Sequence, residues 1–404
     1  MIADQDLRCA PEPAFTAGIR ARFPVEREID RVLTRKMANR AGAGYSALPL
    51  DALIDGTRKL IAHHIEAGFA LHDPRWLQGG ASKLQMAFDL EWNGTDGGAR
   101  RRTPMVLRME PPESIVETSR RREIEILRLV EGVVPVPPCY WIDANGEFLP
   151  HPALVYGFAE GATRPKQRPS QQVTGIGTNF GPDLRPVIAD QFIAALARIH
   201  TIPQTRLQTL RDFEPAEIGS NASIIRQIHW WQRVWEEDRP CAMPLVDVAA
   251  RWLIDNAPPL DHVSLVHGDL RAGNFLFSEP SGEITAWLDW ELAVIGDRHQ
   301  DLSWSTGTHF GHYAEDGKTF LACGLLPREV LFERYEQVSG LSVDPTRLRY
   351  FRVFNDYMST VHMLATAYRV ARLGKTHQDV VVAWLSMIGN AIAGKLRATL
   401  EEII

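Results

Sequence analysis

The sequence has little cysteine. Its four cysteines, Cys9, Cys139, Cys241 and Cys323, are scattered over 404 residues, and none of them shows the close spacing of metal ligands. This excludes a small scaffold held by disulfides and a zinc site built from cysteine pairs. The pattern is typical of structural thiols in a reducing compartment, so we expect a cytoplasmic protein.

Long apolar runs and an excess of basic residues are also missing. No apolar run approaches the roughly 18 residues of a membrane span, and the start, MIADQDLRCAPEPAF, lacks the basic and apolar blocks of a secretory signal. The net charge of −6 argues against nucleic acid as the main partner. With 45% hydrophobic and 23% charged residues, the composition is that of an ordinary globular protein. We therefore expect neither a membrane nor a nucleic-acid partner, and the oligomeric state stays open.

Hydrophobic periodicity divides the chain into three regions. Residues 1–70 have helical spacing and predict a helical extension of unknown role. Residues 71–160 have mainly strand-like spacing and predict a small antiparallel lobe with one helix, for which Ser114 is the expected N-cap. Residues 161–404 are mainly helical and predict a larger lobe. The predicted fold class is α+β with two lobes.

The stretch LVHGDLRAGNFLF carries the strongest chemical signal. Its apolar ends indicate short buried strands, and the loop between them contains Asp269 and Asn274. A following hairpin strand, ITAWLDWEL, ends at Asp289. Because both ends of a hairpin lie on the same side, we expect these three side chains to converge. Carboxylate and amide oxygens suit Mg²⁺, and a remaining carboxylate can accept a hydroxyl proton, which together indicate phosphoryl transfer.

These residues also carry a family resemblance. The spacing from Asp269 to Asn274 matches the protein-kinase catalytic loop, and HGDLRAGNFLF, AWLDWELAVIGD and QDLSW resemble the aminoglycoside phosphotransferase/choline kinase family, which has a protein-kinase-like fold. The residues of these motifs are most similar to those of the kinase-like domain attached to certain acyl-CoA dehydrogenases. The resemblance implies that Asp269 is the catalytic base and that Asn274 and Asp289 are the Mg²⁺ ligands. It also implies that His267 braces the loop and that Asp301 ties the loop to a helix.

The resemblance further implies an ATP site in the smaller lobe. The segment LQGGASK resembles the glycine-rich turn over the nucleotide phosphates, with Gly79, Gly80 and Ser82 as the expected contacts. The alternative is that the two glycines form only an ordinary hairpin turn. The implied cofactors are ATP and Mg²⁺.

A cation and a hinge complete the implied nucleotide site. The family usually has lysine on the third strand, and here the residue is Arg108, which can neutralise phosphate with a different geometry. Its expected partner is Glu123 on the helix, with Glu125 as the rival. The segment VYGFAEG resembles the hinge that contacts adenine through backbone groups, around Tyr156 and Phe158.

The predicted function is ATP- and Mg²⁺-dependent transfer of the γ-phosphoryl group to a hydroxyl of a small molecule. Acidic and basic residues nearly balance in the helical lobe, so there is no obvious trap for a polycation. This favours a hydroxyacyl thioester, which the resemblance implies, or another hydrophobic alcohol. The alternative enzyme is an antibiotic phosphotransferase that acts on an aminoglycoside or a macrolide. The alternative that is not an enzyme is a non-catalytic, nucleotide-binding pseudokinase. A protein kinase is disfavoured because the segment after Asp289 is too short for an activation segment.

Overall fold

A computed structural model describes residues 6–66, 68–77, 83–95, 97–166 and 176–403. It contains a smaller lobe with an antiparallel sheet and a larger, mainly helical lobe, joined through the segment after the last strand of the sheet. The predicted two-lobed α+β fold is therefore confirmed.

The N-terminal region forms helices that pack on both lobes. They are α1 (Pro13–Arg22), α2 (Arg27–Asn39) and α3 (Leu50–His64). Ile29 and Leu33 of α2 belong to a core within the helical lobe. Leu60 and Ile61 of α3 belong instead to the core beneath the small sheet. The extension therefore shares the hydrophobic cores of its two neighbours.

The small lobe is built on an antiparallel sheet. Within the described residues its strands are β1 (Ala70–Trp76), β2 (Leu84–Trp92), β3 (Arg101–Met109), β4 (Cys139–Asp143) and β5 (Ala153–Gly157), in the order β1-β2-β3-β5-β4. Met86, Phe88 and Leu90 alternate along β2 and are fully buried, as the period of a strand requires. The register places Arg108, near the end of β3, opposite Gln85 of β2. This register brings the arginine to the face that meets the helical lobe.

The single helix of this lobe, α4 (Arg120–Val130), begins later than the sequence predicts. Ser119 is the N-cap, and its side chain accepts a hydrogen bond from the backbone N–H of Arg122. Ser114 was the expected cap, but its hydroxyl accepts a hydrogen bond from Lys83 at 2.9 Å. The prediction was wrong because both serines are chemically competent caps, and a tertiary contact occupies the first of them.

The helical lobe surrounds short strand pairs. Its helices are α5 (Gly181–His200), α6 (Gln204–Leu207), α7 (Ala222–Asp238), α8 (Pro244–Asp255), α9 (His299–Ser305), α10 (Arg328–Ser339), α11 (Pro345–Val361), α12 (Ala367–Arg372) and α13 (Asp379–Glu401). A π-helical turn, His362–Thr366, joins α11 to α12. The strands are β6 (Ser264–Val266), β7 (Phe275–Phe277), β8 (Ile284–Trp287), β9 (Val294–Gly296), β10 (His312–Tyr313) and β11 (Phe320–Leu321).

Aromatic packing fixes the strand pair that carries the chemical motif. β7 pairs with β8, and β6 pairs with β9, in both cases antiparallel. The Phe275 and Trp287 rings lie 5.2 Å apart, and Phe192 of α5 packs on Trp287 at 5.6 Å. Such ring pairs add to the free energy of burial. The loops that precede β7 and follow β8 are therefore held by a rigid core.

One helical segment of the described chain, Val380–Glu401, is long and apolar enough to cross a membrane by length and composition alone, with a mean hydropathy of 1.2. A helix in a protein core passes the same test, so this is a weak indication. The segment packs against α11 and α12 and buries Leu396 and Leu400, while Val380 and Met387 are exposed. The expected absence of a membrane partner stays a prediction.

Candidate active site

A buried carboxylate on α9 holds the loop between β6 and β7 in place. Asp301 Oδ2 accepts the backbone N–H of His267 at 2.7 Å, and its Oδ1 accepts that of Gly268 at 2.9 Å. His200 Nε2 lies 3.2 Å from the same carboxylate. Gly268 has a φ of +84°, and a Cβ there would meet the Leu292 carbonyl oxygen at 2.5 Å. The loop conformation therefore requires glycine at this position.

Asp269 is held by three donors. Its Oδ1 accepts hydrogen bonds from Arg271 Nε at 3.0 Å and Trp304 Nε1 at 2.7 Å, and its Oδ2 accepts one from Asn274 Nδ2 at 2.6 Å. An ionised carboxylate has about four lone-pair positions, so one remains for a hydroxyl proton. The side chain is 21% exposed. The aspartate is thus oriented and accessible, as a general base must be.

Asp289 lies beside this loop. His267 Nε2 lies 2.9 Å from the Leu288 carbonyl oxygen, and the Leu288 N–H donates to the Asn274 carbonyl at 2.8 Å, so the two loops are tied together. Asp289 itself has a left-handed backbone, with a φ of +60°, and 47% of its side chain is exposed to the cleft. The structure therefore brings Asp269, Asn274 and Asp289 to one place, as the spacing predicts.

Arg108 crosses from the small lobe to the same place. Its guanidinium donates to Glu123 Oε1 at 2.6 Å and to Asp289 Oδ1 at 2.9 Å. The rival acid, Glu125, faces away and accepts the backbone N–H groups of residues 211 and 212 at 3.1 and 3.0 Å. Glu123, and not Glu125, is therefore the partner of Arg108.

A second acid and two further cations surround Arg108. Glu291 Oε2 lies 3.1 Å from Arg108, 3.3 Å from Lys83 Nζ and 3.2 Å from Arg120. Burial alone would raise the pKa of Glu291, but these three cations outweigh burial and hold the pKa well below its usual value. Burial lowers the pKa of the Lys83 ammonium. Glu291 therefore stays ionised and gathers the cations at the base of the cleft.

A cleft of about 430 Å³ lies between the lobes at this cluster. Its walls include Lys83, Arg108 and Tyr156 from the small lobe and Arg271 and Asp289 from the helical lobe. A cavity of this size, with a few converging charged groups, suits a nucleotide-sized ligand.

The predicted hinge contact at Phe158 does not fit this cleft. Phe158 is absent from the cleft walls. Its backbone N–H donates to the Pro104 carbonyl at 2.9 Å, so that donor is not available to an adenine, and 37% of the residue is exposed. Strand pairing uses the group that was expected to contact the base. Tyr156 is the hinge residue that the structure places at the cleft.

The remaining predicted contacts, Gly79, Gly80 and Ser82, lie outside the described residues. The sequence analysis missed Lys83, Glu291 and Trp304 as site residues. Lys83 is the last residue of the segment LQGGASK, and Glu291 follows Asp289 by two positions, so proximity in sequence was an available signal for both. Trp304 ends the motif QDLSW, but its contact with Asp269 depends on how α9 packs and was not expected.

The proposed Mg²⁺ ligands fit an ion that is shared with phosphate. Within the described chain, no group of three or more His, Cys, Asp or Glu side chains could hold a metal alone. Asn274 uses its amide nitrogen on Asp269, which leaves Oδ1 for a cation. Partial burial of the half-exposed Asp289 side chain, followed by the charges of Glu291 and Asp269, raises its pKa despite Arg108. A divalent cation would offset this negative charge, and Mg²⁺ commonly takes one or two protein ligands besides phosphate oxygens.

Comparison with known proteins gives a match to the sequence model of the phosphotransferase enzyme family over residues 92–322, more than half of the chain. The chain is also 30% identical over 162 residues to acyl-CoA dehydrogenase family member 11 of Gallus gallus, a match covering 38% of this chain and 21% of that protein. Matches to the first curated relatives span only 18–24% of their length.

Solved structures share the fold at low sequence identity. A protein assigned as an aminoglycoside phosphotransferase from Ralstonia eutropha has a TM-score of 0.60 at 19% identity, covering 86% of this chain and 98% of that one. A macrolide 2′-phosphotransferase type I has a TM-score of 0.52 at 18% identity, covering 84% and 99%. The structural similarity to these two proteins covers most of the chain.

Proposed function

The chain belongs to the phosphotransferase enzyme family, and from this membership we propose that it transfers the γ-phosphoryl group of ATP, with Mg²⁺, to the hydroxyl of a small molecule in the cytoplasm. The observation that carries the proposal is the convergence of Asp269, Asn274 and Asp289 beside a cleft that also contains Arg108. Phosphoryl transfer needs a positioned acceptor and charge neutralisation more than covalent chemistry, and these residue types supply both.

The residues divide the work of the reaction. The acceptor oxygen forms a bond to the γ-phosphorus while the bond from that phosphorus to the bridging oxygen of ADP breaks, and the hydroxyl proton passes to Asp269. Trp304 and Asn274 keep the Asp269 carboxylate oriented for this proton. Arg108 presents a cation to the phosphates from the small lobe. Asn274 and Asp289 would hold the Mg²⁺, whose charge offsets that of the phosphates.

A hydroxyacyl thioester or another hydrophobic alcohol is the acceptor that we favour. The curated relatives carry the name acyl-CoA dehydrogenase, which supports an acyl thioester. The macrolide 2′-phosphotransferase among the similar structures supports the alternative of an antibiotic acceptor. A kinetic screen decides between them: efficient phosphorylation of kanamycin-like or macrolide compounds, with none of hydroxyacyl thioesters, would reverse our preference.

Substitution of Asp269 by asparagine tests the catalytic role. Asparagine keeps the size of the side chain but cannot take the proton, so we expect ADP release to fall by about 10²–10⁴-fold. The matched control is Asp255→Asn on α8, whose carboxylate is 47% exposed and pairs only locally with Arg251. Near-full turnover by the Asp269 variant would refute the assignment.

Nucleotide binding separates the enzyme from a pseudokinase. We expect both aspartate variants to bind Mg-ATP, measured by titration calorimetry, and only the Asp255 variant to release ADP with an accepted alcohol. A wild-type protein that binds Mg-ATP but releases no ADP with any of a broad library of hydroxylated metabolites would favour the non-catalytic alternative. The complete set of an acid, an amide and a second acid argues for turnover, since a scaffold has no need of all three.

A further inference from the structure

A second cavity, of about 380 Å³, lies in the helical lobe behind the catalytic loop. It is bounded by α9, α11 and α13, and Trp304 forms part of its wall. The indole nitrogen of the same tryptophan donates to Asp269 Oδ1 at 2.7 Å. One side chain therefore separates the cavity from the catalytic carboxylate.

One face of α11 leads from this cavity towards the active site. Arg352, Asn355 and Ser359 line the cavity, and their spacing of three and four residues places them on one helical face. The next residue on that face is His362, where the π-helical turn begins. Burial lowers the pKa of His362 to about 4, against the opposing charge of Asp269. The far end of the face thus comes within electrostatic reach of the catalytic aspartate.

The cavity has an excess of positive charge. Lys395 pairs with Asp356 at 2.9 Å, and Arg352 pairs with Glu402, so these charges cancel. Arg328 also lines the cavity, and Arg349 lies beside Arg352 on its wall. For these two arginines the structure records no carboxylate within 4.0 Å in the part of the chain that it describes. Two positive charges are therefore left without a counter-charge.

Buried polar atoms in the same wall have no hydrogen-bond partner. They are Arg352 Nε and Asn355 Oδ1, and Asn355 is only 5% exposed. A buried donor or acceptor without a partner costs about 1–3 kcal/mol. An anionic ligand accepts hydrogen bonds, so it would satisfy Arg352 Nε and would pair with the exposed side chains of Arg328 and Arg349. Asn355 Oδ1 is itself an acceptor and would need a donor.

We propose that this cavity binds the anionic end of the acceptor, so that the substrate is an alcohol carrying a carboxylate or phosphate at a distance from its hydroxyl. The inference rests on the proposed phosphotransferase function. The hydroxyl end would lie at Asp269 and the anionic end at Arg349, on the other side of Trp304, so at least the width of the indole ring separates the two ends. A short hydroxy acid does not span this distance, and a polycation is repelled by Arg328 and Arg349.

Three ten-carbon probes test the proposal. They are 10-hydroxydecanoate, 10-hydroxydecyl phosphate and 1,10-decanediol, which share a primary alcohol and differ in the charge of the other end. The wild-type protein is expected to bind the two anions about tenfold or more tightly than the diol and, through a lower KM, to phosphorylate them preferentially. The anion with the larger gain identifies the group that the cavity takes.

Arg349→Glu is the decisive variant. It is expected to remove the preference by raising the KM for both anions towards that for the diol, with the affinity for Mg-ATP unchanged because the nucleotide cleft lies elsewhere. Arg251→Glu on α8, 76% exposed, is the matched control and is expected to keep the wild-type preference.

Two measurements keep the outcomes distinguishable, namely equilibrium binding of each probe and ADP release. Equal binding of the diol and both anions by the wild type, or an unchanged preference in Arg349→Glu, would overturn the anion site. Binding of an anion that depends on Arg349, without ADP release from any probe, would leave the anion site standing and count against the proposed transfer reaction.

Discussion

Replacing Glu117 by glutamine probes a charge that the fold buries between β3 and α4. The residue is 7% exposed, and its Oε1 accepts the backbone N–H of Ser114 at 2.6 Å. Burial, followed by the negative charge of Glu110, raises the pKa of Glu117 to about 7, although Lys36 and Lys83 act in the opposite direction. The carboxyl therefore changes charge near neutral pH.

The sign of the effect on stability follows from proton binding. An unfolded glutamate has a pKa near 4.5, so between that pH and about 7 the folded state binds more protons than the unfolded state. The free energy of unfolding must then fall as the pH rises through this window. The free-energy cost of ionising the buried Glu117 carboxyl in the folded state is absent below about pH 4.5 and complete above about pH 7. At 1.36 kcal/mol per pKa unit, it is on the order of 3 kcal/mol.

Glutamine has nearly the same shape, keeps an acceptor for the Ser114 N–H and cannot ionise. We therefore expect Glu117→Gln to unfold within about 1 kcal/mol of the wild type at pH 5, and to be more stable by about 3 kcal/mol at pH 8. Urea unfolding followed by tryptophan fluorescence at pH 5, 6, 7 and 8 measures the difference.

The control variant is Glu131→Gln at the end of α4, where the side chain is exposed, and it should keep the pH dependence of the wild type. Parallel stability curves for Glu117→Gln and the wild type at every pH would show that the buried carboxyl does not carry the cost.

Three further substitutions test the loop that carries the aspartate. Asp301→Asn keeps one acceptor oxygen for the two backbone N–H groups, so the free energy of unfolding should fall by about 1–3 kcal/mol in urea titration; an unchanged free energy would contradict the anchoring role. Gly268→Ala must force a side chain into a left-handed position against a carbonyl and should cost about 1–3 kcal/mol or more, seen as a lower Tm; an unchanged Tm would refute the steric argument. Trp304→Phe removes one hydrogen bond to Asp269 and should lower kcat by about 2–10-fold with the Mg-ATP affinity unchanged; equal losses in both would indicate a general structural defect.

The sequence was most informative where the site is local. Asp269, Asn274 and Asp289 lie within 21 positions, and short strand pairing alone brings them together, so spacing and strand pattern were sufficient. The pairing of Arg108 with Glu123 joins two adjacent elements of one lobe, and the motif resemblance was enough to indicate it.

The contacts that the sequence did not reveal depend on register or on the meeting of the lobes. Lys83 and Glu291 are 208 positions apart in sequence, and no local pattern indicates that they form an ion pair. Phe158 had the right position in the hinge motif, but the register of β3 against β5 assigns its N–H to a neighbouring strand. Ser114 and Ser119 were equally good caps by residue type, and the lysine contact at Ser114 distinguished them.

Helix α2 shows most clearly what the motif resemblance leaves out. Lys36 contacts Glu237 at 2.8 Å and Asp238 at 3.1 Å, at the end of α7 in the helical lobe. Burial alone would raise the pKa of Asp238, but Lys36 and Arg40 outweigh burial and lower it to about 2. At its other end, α2 provides Glu28, which accepts a hydrogen bond from Ser119, the N-cap of α4.

These contacts make α2 a fixed link between α4 and the helical lobe. α4 carries Glu123, and Glu123 orients the Arg108 guanidinium in the cleft. Because buried charges are stable only with their partners, removal of one partner leaves an uncompensated charge that costs about 3–5 kcal/mol. The link therefore resists small displacements of α4, and the geometry of the phosphate-facing cation depends on a helix at the start of the chain that contributes no group to the cleft itself.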